Sequence, residues 1–172
     1  MKKTKAIRAA ISAVLLLGSV LSFSAHAQQA AAPAAPEANP ARKAIEVRKA
    51  VFTLIANSFK PIGDTLQGKT PYDAAEIQKR ATRVAFLADF IGEGFPEVSN
   101  TGLPDTKAKP EIWSDRAGFD KKVADFREHA ATLAKVSATD PSTSTTASDA
   151  FKTAAAAVGQ DCKGCHEAYK VK

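Results

Sequence analysis

Methionine is almost missing from this chain of 172 residues: the only one is Met1. A metal centre deeper in the sequence must therefore do without a thioether ligand. Cysteine is nearly as scarce, and its two copies, Cys162 and Cys165, stand three residues apart. Both thiols lie in one short run, so no separate disulfide framework exists. Histidine occurs three times, at His26, His129 and His166. A structural zinc site takes four ligands, which would require His129 to join the distant group at 162–166. No stretch of alternating apolar and polar residues reads as a strand. A redox Cys-x-x-Cys dithiol, which usually opens a helix after a strand, therefore lacks its setting.

A surplus of positive charge is also smaller than it looks. The formal charge is +6, but four of the 24 Lys and Arg residues and none of the 18 Asp and Glu residues fall in the first 27 positions. Those positions read as a cleavable secretory signal. Lys2, Lys3, Lys5 and Arg8 precede an apolar run through Leu15, Leu16 and Leu17, and Ala25-His26-Ala27 ends it with a small-x-small pattern. That run is too short and too early for a permanent membrane span. The remaining chain carries a formal +2, which removes the main support for a nucleic-acid or anionic-membrane partner. The expected organisation is a signal at 1–27, a flexible Ala/Pro-rich lead-in at 28–39, and one domain at 40–172.

Helical periodicity fills that domain. Asn39-Pro40 reads as an N-cap followed by a first-turn proline, and Ile45, Phe52, Ile55, Phe59, Ile62 and Leu66 mark one face of a first helix that Pro61 interrupts or kinks. Thr70-Pro71-Tyr72-Asp73 is expected to cap a second helix with the stripe Ile77, Ala81, Val84, Leu87, Ala88 and Ile91. The irregular stretch from Gly92 to Lys109 suits a crossover. A third helix is expected from Pro110 through Phe119, Val123, Phe126, Ala130, Leu133 and Ser137. The fourth runs from about Ser148 to Tyr169 with Phe151, Ala155, Val158, Cys162, Cys165 and Tyr169 on its seam. The fold class is all-α, an antiparallel four-helix bundle.

Cys162-Lys163-Gly164-Cys165-His166 is the Cys-x-x-Cys-His pattern of covalent attachment of haem c. On a helix these three residues share one face, so each thiol can form a thioether while His166 ligates iron. The sixth position is harder to fill. Met1 and His26 lie in the signal, and His129 sits about 80° from the centre of its apolar stripe, at the bundle edge. Five-coordinate iron with an apolar distal face is the expected ground state. Phe52, mid-stripe on the first helix, is the candidate lid or else ordinary core packing. Arg48, one turn before it on the same stripe, is either paired with a haem propionate or snorkelling to solvent, and Lys49 flanks it. Lys170, four residues after His166, either reaches back over the proximal face or, as is preferred, caps the C-terminus of the last helix.

The segments Arg48 to Phe59, Pro71 to Ala75, Lys107-Ala108-Lys109-Pro110-Glu111-Ile112-Trp113-Ser114-Asp115, and Val158-Gly159 with Cys162 to Tyr169 closely resemble cytochrome c′, the class II c-type cytochromes. The resemblance spans nearly everything after about Pro40. It implies a left-handed four-helix bundle in the periplasm, commonly a homodimer through its first two helices, whose five-coordinate high-spin haem binds nitric oxide and carbon monoxide. Carried over by position, Cys162 and Cys165 are the thioether sites and His166 the axial ligand. Arg48 meets a propionate, and Phe52 takes the distal position that is often Leu in the family and Met in its low-spin relatives. Lys170 departs from the family's frequent Arg, which helps shape the proximal pocket where nitric oxide displaces the histidine. A non-enzymatic nitric oxide binder or buffer is the leading expectation. A periplasmic electron-transfer cytochrome with protein redox partners is the alternative, and a peroxidase would need a distal acid or base that this stripe lacks apart from Arg48.

Overall fold

The computed structural model describes residues 39–102, 106–141 and 144–172. The expected signal at 1–27 and nearly all of the lead-in lie outside the described residues. Four long helices carry the domain: α1 (Pro40–Leu66), α2 (Ala74–Ala88), then, after a short α3 (Glu111–Ser114), α4 (Arg116–Ser137) and α5 (Asp149–Tyr169). Among the described residues no helix is long and apolar enough to cross a membrane.

Asn39 caps α1 as its sequence suggests, its side chain accepting from the amides of Ala41 and Arg42 at 3.0 and 3.3 Å. Pro61 does not end this helix. Proline at that position deprives the Asn57 carbonyl of its usual partner four residues on. Arg80 of α2 supplies the missing donor, with Nη1 at 3.1 Å from Asn57 O. After α1 the chain turns at Gly68, whose φ of 69° lies in the left-handed region that favours glycine.

Two helix starts differ from the expectation. Asp73, not Thr70, caps α2, accepting from the Glu76 amide at 3.0 Å. The Thr70 hydroxyl lies 3.0 Å from that of Thr65, across the turn, and is engaged there instead. The third helical region is broken as well. Asp115, at φ −117° and ψ 55°, separates α3 from α4 and caps α4 through Gly118 N at 3.2 Å. Its other carboxylate oxygen accepts from the Tyr169 hydroxyl at 2.8 Å, which ties the start of α4 to the end of α5.

The interior follows the expected stripes. Ile45, Ile55 and Ile62 of α1, Ala81 and Val84 of α2, Phe119, Ala130 and Leu133 of α4, and Phe151, Ala155 and Val158 of α5 are all buried. Phe52 and Phe59 are half-buried, and Leu66 reaches the surface. At one end of the bundle Tyr72 donates to Asp140 at 2.5 Å, Ser148 donates to the same carboxylate at 3.3 Å, and the Tyr72 ring stands edge-on to Phe151. At the other end the crossover after α2 makes two short 3-10 turns, Gly92–Gly94 and Glu97–Ser99, which pack against α1. α5 packs along α4 but meets α1 only sparsely.

Candidate haem site

α5 places Cys162 and Cys165 one turn apart, both as free, half-buried thiols. Burial, with the nearby Asp161 carboxylate, pushes the Cys162 thiol up to about 11. Burial also raises Cys165, against the pull of the Lys122 ammonium. An activated dithiol needs the opposite shift, so these cysteines are poor redox thiols. His166 is exposed overall, yet partial burial and the Lys170 ammonium lower its pKa. Neutral imidazole, the form that ligates a metal, is thereby favoured.

The last turn of α5 is held from outside the helix. Its C-cap is Lys170, whose backbone N–H bonds the His166 carbonyl at 3.2 Å. The ammonium that reaches the terminal carbonyls is that of Lys109, at 3.1 Å from Glu167 O and 3.3 Å from Ala168 O. Two backbone bonds flank it: Lys109 N to Tyr169 O at 3.0 Å and Val171 N to Lys107 O at 2.9 Å. The capping expected of the Lys170 side chain thus comes from a residue some sixty positions earlier, which no local pattern marks.

Arg48 of α1 turns inward and does not snorkel, with 4% of its surface exposed. Its Nε donates to Gly94 O at 2.8 Å, Nη1 to the Thr106 hydroxyl at 3.2 Å and Nη2 to the Ser99 hydroxyl at 2.6 Å. The guanidinium also lies 4.5 Å from the centre of the Phe95 ring and 5.5 Å from that of Trp113. Among the described residues no carboxylate forms an ion pair with it, so two of its five N–H groups and its charge remain available to an anion. Lys49, beside it, is exposed.

Phe52 meets Phe95 edge-on at 6.2 Å between ring centres. Phe95 is the hub that the sequence does not reveal, since it also contacts Trp113 at 6.2 Å and Phe119 at 4.8 Å, and Phe119 continues to Tyr169 at 5.5 Å. An aromatic chain therefore links Phe52 on α1 to the helix that carries the cysteines. The backbone beneath Phe95 is pinned at three successive carbonyls: Gly94 by Arg48, Phe95 by Arg116 at 3.0 Å, and Pro96 by Trp113 at 3.2 Å and Ser99 at 2.7 Å.

His129 bonds Asp161 at 2.7 Å through Nδ1, with 42% of its side chain exposed. Asp161 raises its pKa. Among the described residues no cluster of three or more His, Cys, Asp and Glu is placed to hold a bare metal ion. The residues fit a covalently held porphyrin instead: two neutral thiols a turn apart, a neutral imidazole beside them, an inward guanidinium without a carboxylate, and an aromatic wall.

Comparison with known proteins agrees. Residues 43–170 match the family model described as Cytochrome C′. Cytochrome c′ of Rubrivivax gelatinosus is 38% identical over 129 residues, covering 75% of this chain and 95% of the relative. The structure of cytochrome c prime from Shewanella frigidimarina superposes with a TM-score of 0.69 at 41% identity, covering 77% of this chain and 97% of that one. A ferrous Arg-to-Lys variant of the Alcaligenes xylosoxidans protein with bound nitric oxide gives 0.67 at 30% identity, covering 79% and 99%, and a Leu-to-Gly variant with carbon monoxide gives 0.66 at 30%, covering 77% and 97%. The chain belongs to the cytochrome c′ family, and the cofactor that its two C-terminal cysteines serve is haem c.

Proposed function

We propose that this protein works in the periplasm as a non-enzymatic gas binder that keeps its iron five-coordinate and high-spin, takes up nitric oxide and carbon monoxide, and buffers nitric oxide. The observation that carries this reading is that, among the described residues, no Met or second His stands on the α1 stripe that faces the proposed distal side. Met1 lies in the signal segment, His129 stands at the bundle edge with 42% of its side chain exposed and is tied to Asp161 of α5, and the residue proposed for the distal face, Phe52, has no donor atom. Nitric oxide and carbon monoxide complexes of the Alcaligenes relatives support the same ligand class.

In this scheme Cys162 and Cys165 form the thioethers and His166 is the axial ligand. Bound haem supplies an iron atom that accepts a diatomic ligand. Phe52, backed by Phe95, covers the distal side and limits entry to small molecules. Arg48 directs its remaining N–H groups to a propionate, with Lys49 at the flank. No general acid or base stands on the α1 stripe, and Arg48 is already held by three acceptors, which is poor equipment for peroxide chemistry. The outer face of α1 and α2 exposes Leu54 (51%) and Phe86 (63%) and fits a homodimer contact.

Stopped-flow mixing of the ferrous protein with nitric oxide and with carbon monoxide, followed optically, tests the proposal. Saturable binding of both at micromolar gas is expected. Absence of binding, with a low-spin six-coordinate spectrum in both oxidation states, would overturn it in favour of electron transfer.

A further inference from the structure

The end of α5 carries more restraint than a surface helix terminus needs. The last carbonyls of a helix have no intrahelical partners and normally face water. Here Glu167 O and Ala168 O, the two that follow His166, share one ammonium from Lys109, at 3.1 and 3.3 Å. Backbone bonds from Lys109 N to Tyr169 O and from Val171 N to Lys107 O hold the same turn to the 107–109 segment. That segment is anchored at its other end, because the Thr106 hydroxyl accepts from Arg48 and from the Ala108 amide. The turn that presents His166 is therefore joined to α1 through a continuous set of hydrogen bonds.

From this geometry we infer that Lys109 is a positioning residue for His166, restraining the imidazole from leaving the iron when nitric oxide binds. The inference rests on the gas-binding function proposed above. Should nitric oxide at a bound haem iron weaken its bond to His166, the imidazole would leave neutral, keeping its lone pair. How far it departs depends on how freely the last turn of α5 can move. With the turn clamped, the released imidazole stays beside the iron and recombines. With the clamp cut, the turn frays and the histidine-free form gains. Carbon monoxide affinity serves as the control for changes elsewhere in the pocket.

The test compares holoprotein of the wild type, Lys109→Met and Lys109→Arg. Lys109→Met keeps the apolar stem and removes the donor, while Lys109→Arg keeps a cationic donor. The ratio of five- to six-coordinate ferrous protein is read optically at a nitric oxide level where both coexist. Carbon monoxide affinity and amide hydrogen exchange at Lys170 and Val171 are measured alongside. Lys109→Met is expected to raise the five-coordinate ratio about fivefold, equivalent to about 1 kcal/mol for a partly exposed charged contact, with faster exchange at both amides and unchanged carbon monoxide affinity. Lys109→Arg is expected to stay near wild type. A wild-type ratio in Lys109→Met despite faster exchange overturns the inference, as does a rise matched by an equal change in carbon monoxide affinity. Failure of the wild type to take up nitric oxide at all would instead remove the proposed function, and this inference with it.

Discussion

Gly94→Ala probes how the crossover is seated on α1. Gly94 has no positive φ, so an alanine there meets no conformational penalty, and any cost comes from space. A Cβ at this position would stand 2.6 Å from Arg48 Cβ, 3.0 Å from its Cα and 3.2 Å from its backbone nitrogen. Carbon atoms rest at roughly 3.5–4.0 Å, so the crossover or the helix must give by about 1 Å. The opposing atoms belong to the α1 backbone and the root of a buried side chain, neither of which can swing aside. Overpacking of this kind costs about 1–3 kcal/mol, and the displaced Gly94 carbonyl weakens its bond from Arg48 Nε, for about 1 kcal/mol more. A total of about 2–4 kcal/mol in a domain of this size lowers Tm by roughly 6–15 °C. Gly92→Ala is the internal control, since its Cβ would meet nothing within 4 Å, and a change within about 0.5 kcal/mol is expected. Thermal unfolding of the holoprotein by circular dichroism at 222 nm measures both. A Gly94→Ala midpoint within about 2 °C of wild type, or equal losses for the two variants, would refute this account of the contact between the crossover and α1.

The His129–Asp161 pair makes stability depend on pH in a definite sense. The hydrogen bond to Asp161, with the nearby charges of Glu128 and Asp125, raises the folded pKa of His129 against a smaller opposing desolvation. Its contribution is therefore fully present below the unfolded histidine value of about 6.5 and fades as pH rises through the folded one. The stability gap between wild type and His129→Gln should be widest near pH ~5.5 and close in alkali; an equal gap at about pH 5.5 and 9 contradicts the pairing. On the outer face, Phe86→Asp should weaken the proposed dimer by at least ~2 kcal/mol, about 30-fold, as for a central aromatic anchor. Sedimentation velocity reads this directly, and a variant that stays dimeric at wild-type concentrations rules out the α1–α2 face as the contact.

What could be read from the sequence and what could not divides along the distance over which each feature is encoded. The haem attachment run spans five residues, the cap at Asn39 acts on amides within three, and each apolar stripe repeats within a turn, so all of them lie inside one short window. The buried positions of α4 were legible to the last residue, Ser137 included, because a single period fixes the whole face. Capping is already less certain, since Thr70 and Asp73 both qualify and the choice turns on a hydroxyl five residues upstream. The site fails to be legible where one element must answer another. The rule that a buried charge needs partners marks Arg48 as anomalous, yet Gly94, Ser99 and Thr106 lie 46 to 58 residues away in a crossover without periodicity. The rule that helix ends need donors marks Glu167 and Ala168 in the same way and is silent about Lys109. Both unpredicted partners come from the stretch that sequence analysis could describe only as irregular. The helices supply the cysteines and the imidazole, and the connection between α2 and α4 supplies the groups that meet Arg48 and the end of α5.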